Sequence, residues 1–76
     1  MPTIVTIGTY RIEIHTGREW NHPHVHVVAG SKDVIVSLIT LQEMGEVPFR
    51  VPSNVRKYIE DNVVSLLAEW DRYHGN

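Results

Sequence analysis

Short runs with a period of two residues fill the first half of the chain. Residues 3–7 are β-branched throughout, and residues 10–15 alternate strictly between apolar and polar side chains, as strands with one buried face do. Residues 22–28 form a third run of this kind, and residues 33–38 are rich in valine and isoleucine, as strands often are. Ala29-Gly30-Ser31-Lys32 is a suitable turn between them. The pattern predicts a small antiparallel sheet of three to four strands over residues 3–38.

The period changes to that of a helix in the second half. Residues 39–52 form an irregular connector punctuated by glycine and proline. Beyond it, apolar residues recur every three or four positions, at Val55, Ile59, Val63, Leu66, Trp70 and Tyr73. This spacing predicts one long C-terminal helix over about residues 53–74. Ser53 would cap its start, Gly75 would end it, and Asp61-Asn62 is the point where it could bend or split.

These elements define one α+β domain over residues 1–76, with the helix packed on one face of the sheet. Its core should contain Ile14, Val25, Val27, Ile59, Leu66 and Trp70. One helix leaves the opposite face and two sheet edges without a covering element, and strand edges are templates for pairing. We therefore expect a homodimer or a complex with a protein partner.

Composition narrows the classes of function. A net charge of −2 over 76 residues does not suit a protein that binds nucleic acid electrostatically. The chain has no cysteine, which excludes disulfides, thiolate zinc sites and a cysteine nucleophile. Its first residues have neither a basic region nor a long apolar run, so we expect a cytoplasmic protein without a signal peptide or membrane span.

The densest candidate chemistry is the histidine box, His22-Pro23-His24-Val25-His26-Val27-Val28. In a strand, alternation places the three imidazoles on one face and Val25 and Val27 on the other. If the second and third strands pair, Glu13 and His15 share the face of His24 and His26. Histidine and carboxylate are ligands for zinc or nickel.

Geometry limits such a metal site. Alternate strand residues are roughly 6.6–6.8 Å apart at Cα, so two neighbouring imidazoles can reach one ion and a third cannot unless the strand bends. Pro23 could supply that bend, or Glu13 or His15 could be the third ligand. The simpler interpretation is that the imidazoles coat the solvent face of the sheet or contact a partner there, with no cofactor.

The box is also similar to the motif of the histidine-triad nucleotide hydrolases. That resemblance implies His24 as the nucleophile on phosphorus, with His22 and His26 stabilising charge and protonating the leaving group. The context differs, because that family carries its motif near the C-terminal end and after a Gly-Gln lead-in.

Four landmarks in order resemble a small bacterial family, the domain-of-unknown-function family four-one-six-zero. They are Met1-Pro2-Thr3-Ile4, the box from Asn21 to Val27, Gly45-Glu46-Val47-Pro48, and the Leu66 to Trp70 pair. The chain departs from the family pattern by lacking one of two box prolines and by having Val25 in place of an aromatic residue. The resemblance implies a bacterial or phage protein from small two-gene operons in a toxin–antitoxin-like arrangement, without an established catalytic activity.

Two functions follow as expectations. The first is a non-enzymatic interaction or regulatory component that binds a protein partner through a sheet edge or the histidine face, with His22, His24, His26 and Trp20 as contact residues. The alternative is a metal-dependent or histidine-nucleophile phosphoesterase acting on nucleotides or RNA.

Overall fold

Five antiparallel strands precede two helices in the computed structural model, which describes residues 3–15 and 22–74. The strands lie side by side in chain order in one sheet. The elements are β1 (Thr3–Ile7), β2 (Tyr10–Glu13), β3 (His24–Ala29), β4 (Lys32–Ser37), β5 (Glu43–Met44), α1 (Ser53–Asp61) and α2 (Val63–Tyr73). The predicted α+β class is confirmed.

Two-residue turns set the register of both long hairpins. Ile7 pairs with Tyr10 across Gly8-Thr9, and Ala29 pairs with Lys32 across the predicted Gly30-Ser31 turn. Gly8 and Gly30 have φ angles of 61° and 62°, in the left-handed region that glycine adopts without a steric penalty. Tight turns of this kind commonly place glycine at their first central position.

The helices cover the face of the sheet that carries Val25 and Val27. Both valines are fully buried, and β2 and β4 contribute Ile12, Val34 and Val36 to the same face through their pairing with β3. The core cluster also contains Ile14, Leu38, Val51, Val55, Ile59, Leu66 and Trp70. All six residues predicted to be buried together therefore belong to this core.

The predicted count of three to four strands and one long helix is wrong in two places. The additional strand β5 pairs with β4 through Ile35 and Met44, and through Val36 and Glu43. A turn at residues 38–42 returns the chain to the sheet, with Leu41 at a φ of 62°. The turn closes through a hydrogen bond from the Leu41 amide to the Ser37 carbonyl. A strand of two residues has no periodicity, which is why the pattern did not indicate it.

The second difference is that two helices, α1 and α2, replace the single long helix. The break lies at Asn62, within the Asp61-Asn62 pair where the sequence indicated that the helix could bend or split. The side-chain amide of Asn62 donates to the Tyr58 carbonyl at 2.9 Å, and its backbone has φ −121° and ψ 20°. Asparagine side chains compete in this way with the helical backbone. The predicted cap is also wrong, since Pro52 occupies the N-cap position and Ser53 is already helical. Gly75 lies outside the described residues.

Neither helix in the described part of the chain is long and apolar enough to cross a membrane.

Candidate functional site

Strand register places the predicted site residues together on the sheet face away from the core. Glu13 pairs with His26, and His26 pairs on its other side with Ile35. Residues opposite each other in an antiparallel ladder share a face. We call this side the outer face; it carries Arg11, Glu13, His24, His26 and Asp33.

The imidazoles of the outer face are buried, so the expectation that they coat a solvent face is wrong. His24 is 1% exposed and His26 is 3% exposed. The His15 ring stacks on the His26 ring with centroids 3.5 Å apart, and the His24 and His26 centroids are 5.2 Å apart. On its other side, the His24 ring contacts the Trp70 indole at 4.8 Å. The rings therefore cover one another, and α2 supplies part of the cover.

Five rings form a continuous row from the sheet to the end of α2. Beyond Trp70, the His74 ring stacks on the indole with centroids 3.6 Å apart and planes 16° apart. The row runs in the order His15, His26, His24, Trp70, His74. It joins the histidine box directly to the C-terminal helix.

Hydrogen bonds fix the tautomers of His24 and His26. The Nδ1 of His24 lies 2.7 Å from the backbone carbonyl oxygen of His22. A carbonyl oxygen only accepts, so this Nδ1 carries the proton. The Nδ1 of His26 lies 2.7 Å from an Asp33 carboxylate oxygen and donates for the same reason. In each neutral ring Nε2 is then the basic nitrogen, as in histidines that act as ligands or nucleophiles.

His22 lies just before β3, and its ring is held by Ser37. The Oγ of Ser37 accepts hydrogen bonds from the Ile39 and Thr40 amides, each at 3.0 Å. With both lone pairs occupied, its hydroxyl proton is directed to the Nε2 of His22, 2.6 Å away. The bond resembles a serine nucleophile with its base. Ser37 is 1% exposed, however, and its oxygen caps a turn, so the pair is structural.

Glu13 is an ionised member of the cluster. Its carboxylate accepts from the Nε of Arg11 at 3.0 Å and from the Nε2 of His15 at 3.2 Å. Burial raises the pKa of this carboxyl, but the hydrogen bonds and positive charges of Arg11 and His15 lower it by more, so the pKa lies below its ordinary value. The buried negative charge is therefore paired, as it must be to remain ionised.

The four predicted metal ligands are thus adjacent in space, although their described geometry does not form a binding cage. Over residues 3–15 and 22–74, no three histidine, aspartate or glutamate side chains are arranged to hold a metal ion. His22 turns to Ser37 instead of converging with His24 and His26. The predicted contact residue Trp20 lies outside the described residues.

The outer face is open beside the buried cluster. A groove of 490 Å³ is lined by Lys32, Asp33, Ile35, Met44, Glu46 and Pro48; we call it the outer groove. A second groove, of 230 Å³, lies between the β3–β4 turn and the side chains of Arg11, Glu13 and His15. Both grooves reach Asp33, whose side chain is 45% exposed although its Oδ2 holds the buried His26 ring.

Sequence reasoning missed Asp33, Ser37 and Trp70 as neighbours of the box. The predicted hairpin contained the signal for the first two. Once Ala29 pairs with Lys32, Ser37 lies opposite His24. Asp33 lies opposite Val28, which makes it a diagonal neighbour of His26 on the same face. No comparable signal exists for Trp70, because its contact with His24 depends on how α2 lies against the sheet.

Fold and site together define a small α+β domain, a five-stranded antiparallel meander with two C-terminal helices and a buried histidine cluster on its outer face. The chain belongs to the family described as domain of unknown function (DUF4160), whose model matches residues 9–71. The family that the sequence landmarks resemble is thereby confirmed. No curated protein and no solved structure matches the chain.

Proposed function

We propose that this protein is a non-enzymatic interaction component of a small bacterial or phage module of the toxin–antitoxin type. In this proposal it acts in the cytoplasm and binds a partner protein. The partner occupies the outer groove, beside the buried histidines and not on them. The observation that carries the proposal is the position of this groove next to imidazoles that are themselves out of reach of a partner.

The lining of the outer groove has the chemistry of a protein interface. Ile35, Met44 and Pro48 supply its apolar part, and Lys32, Asp33 and Glu46 supply charges of both signs. Protein interfaces commonly combine an apolar centre with a polar rim, and methionine is enriched in them. The groove is open and lies on the outer face beside β5, a shape that suits a partner bound through side-chain contacts and not through backbone pairing with β5.

Asp33 connects the groove to the histidine cluster. One carboxylate oxygen accepts from the buried His26 ring, while the exposed part of the side chain faces the groove. The hydrogen bond between Asp33 and the Nδ1 of His26 orients the His26 ring. A partner that forms a hydrogen bond to Asp33 would either compete with this bond or strengthen it. This arrangement supports a regulatory role, because binding outside the cluster reaches a ring inside it.

The test uses the product of the neighbouring gene in the operon, co-expressed with the tagged chain. Met44→Arg places a charge in the apolar part of the outer groove and should reduce recovery of the neighbour at least tenfold. Val64→Arg is the matched control, because Val64 is 78% exposed on α2 and lies away from the groove. Failure of the wild type to bind, or equal loss in both variants, contradicts the proposal.

The histidine-dependent phosphoesterase is the second candidate. It is supported by the fixed tautomers of His24 and His26, which make Nε2 the basic nitrogen of both rings. Such a nitrogen can attack phosphorus or coordinate zinc. We place it second because a substrate phosphate must reach a ring that is 1% exposed.

Zinc calorimetry and hydrolysis of a model phosphodiester distinguish the two candidates. The second candidate requires turnover, or zinc binding at about micromolar affinity that weakens below about pH 6 as protons compete for imidazole. Turnover and zinc binding would both be lost in a His24→Ala, His26→Ala double variant. If the protein is instead a non-enzymatic interaction component, we expect no turnover, and equal, negligible heats of zinc binding from the wild type and the variant.

A further inference from the structure

We propose that a second copy of this chain pairs with the outer edge of β1, forming a two-fold symmetric dimer centred on Thr6. The inference goes beyond the proposed function, because β1 and the outer groove lie toward opposite edges of the sheet. The dimer would join two sheets into one continuous sheet through antiparallel β1 strands.

The two edges of the sheet differ in how they are protected. β5 has only two residues and carries the charged Glu43, features that discourage pairing with another chain. β1 has five residues, all threonine, isoleucine or valine and none charged. In the described part of the chain, no strand pairs with the outer edge of β1. A β-bulge at its start, between Thr3 and Val5, leaves the register regular from Val5 to Ile7.

The turn at Gly8-Thr9 determines which backbone groups face outward. Ile7 and Tyr10 flank this two-residue turn, and the flanking pair of such a hairpin exchanges backbone hydrogen bonds. The next residue, Thr6, pairs with Arg11 at a non-hydrogen-bonded position. Its N–H and C=O therefore point away from β2, toward the open edge.

Thr6 is self-complementary about a two-fold axis. When it lies opposite Thr6 of the second copy, each N–H donates to the carbonyl of the other, which gives one hydrogen-bonded pair. The neighbouring pairs join Val5 of one copy to Ile7 of the other. Val5 and Ile7 pack against the core cluster, so these contacts extend the apolar layer of one copy into the next. Cross-strand pairs of β-branched residues and of threonines are favourable.

Electrostatics do not oppose this arrangement. The nearest charged side chain on the described neighbouring strand is Arg11, which pairs with Thr6. Two Arg11 side chains would be three strand spacings apart, roughly 14 Å. That distance exceeds the Debye length of roughly 8 Å at physiological salt. The buried area is small, so the dimer should be weak and concentration-dependent.

Sedimentation of the full chain, from about 5 to about 500 µM, tests this dimer. The average mass of the wild type should rise toward twice the monomer mass of 8.7 kDa. Thr6→Pro removes the donor at the two-fold axis without removing a bond to β2, and it should weaken association at least tenfold. Thr6→Val keeps the N–H and the branched shape, so it should associate as the wild type does.

A charged variant covers the case in which Thr6→Pro does not fold. Thr6 is exposed, so we expect Thr6→Lys to fold despite its position opposite Arg11, which circular dichroism of the monomer checks. In the dimer it places two ammonium groups opposite each other across the axis. Its association should be weaker than that of the wild type, and added salt should restore part of it. A wild type that stays monomeric over the whole range, or a Thr6→Lys variant that associates equally well, overturns the proposal.

Discussion

Each of the three imidazoles of the box donates or accepts a hydrogen bond that selects one tautomer. The free energy of folding therefore depends on the residues that form these bonds as well as on the histidines. A typical intramolecular hydrogen bond contributes about 1 kcal/mol to stability, whereas leaving a buried partner unpaired costs about 1–3 kcal/mol. Replacing Asp33 or Ser37 should therefore destabilise the cluster, because it removes the hydrogen bond that orients the His26 or the His22 ring.

Glu13 gives the cluster a defined response to acid. Its pKa is lower in the folded protein than in the unfolded chain, so it contributes stability above the ordinary glutamate pKa of about 4.3. That contribution is lost as the pH falls through the lower, folded pKa, where both states become protonated. Glu13→Gln should lower the free energy of unfolding at pH 7, and its difference from the wild type should shrink below about pH 4.3.

Urea unfolding at a series of pH values measures this difference. Glu60→Gln is the control, because Glu60 is exposed on α1 and should show no comparable trend. A Glu13→Gln deficit that stays constant from neutral pH down to the acid limit would show that the charge of Glu13 does not stabilise the fold.

At the scale of the elements, sequence periodicity was sufficient wherever a strand or helix buries one regular face. The alternation of Val25 and Val27 and the three-to-four spacing from Val55 to Trp70 both correspond to core residues. Periodicity failed where single contacts define the element. β5 exists because a turn returns the chain to β4, and Arg56 of α1 then bonds to Glu43. The break at Asn62 likewise depends on one side-chain amide.

The candidate site was also predictable only in part: the grouping of its residues followed from the sequence, but their burial did not. Strand pairing was enough to bring Glu13, His15, His24 and His26 together, and the structure does so. Burial was not predictable, because the cover over His24 comes partly from Trp70, more than forty residues along the chain. Tertiary contacts of this kind leave no local pattern in the sequence.

For the whole molecule, the row of rings acts as a link between its two layers. The radius of gyration is only 11.3 Å, and a chain of this size has little stability in reserve. A link from β3 through Trp70 to His74 ties the end of α2 to the sheet. Trp70 and His74, which carry this link into α2, do not line the outer groove, and the β1 edge lies toward the opposite edge of the sheet, so both proposed contact surfaces can be occupied without separating the layers.

Long-range ¹H–¹⁵N NMR of the histidine side chains tests the central claim most directly, namely that the box is a buried cluster with fixed tautomers. The structure predicts the Nδ1–H tautomer for His22, His24 and His26 and a proton on Nε2 of His15. Asp33→Asn should alter the signals of His26 while leaving those of His74 unchanged. Averaged signals typical of solvent-exposed imidazoles at His24 and His26, or Nε2–H tautomers at both, would contradict the account.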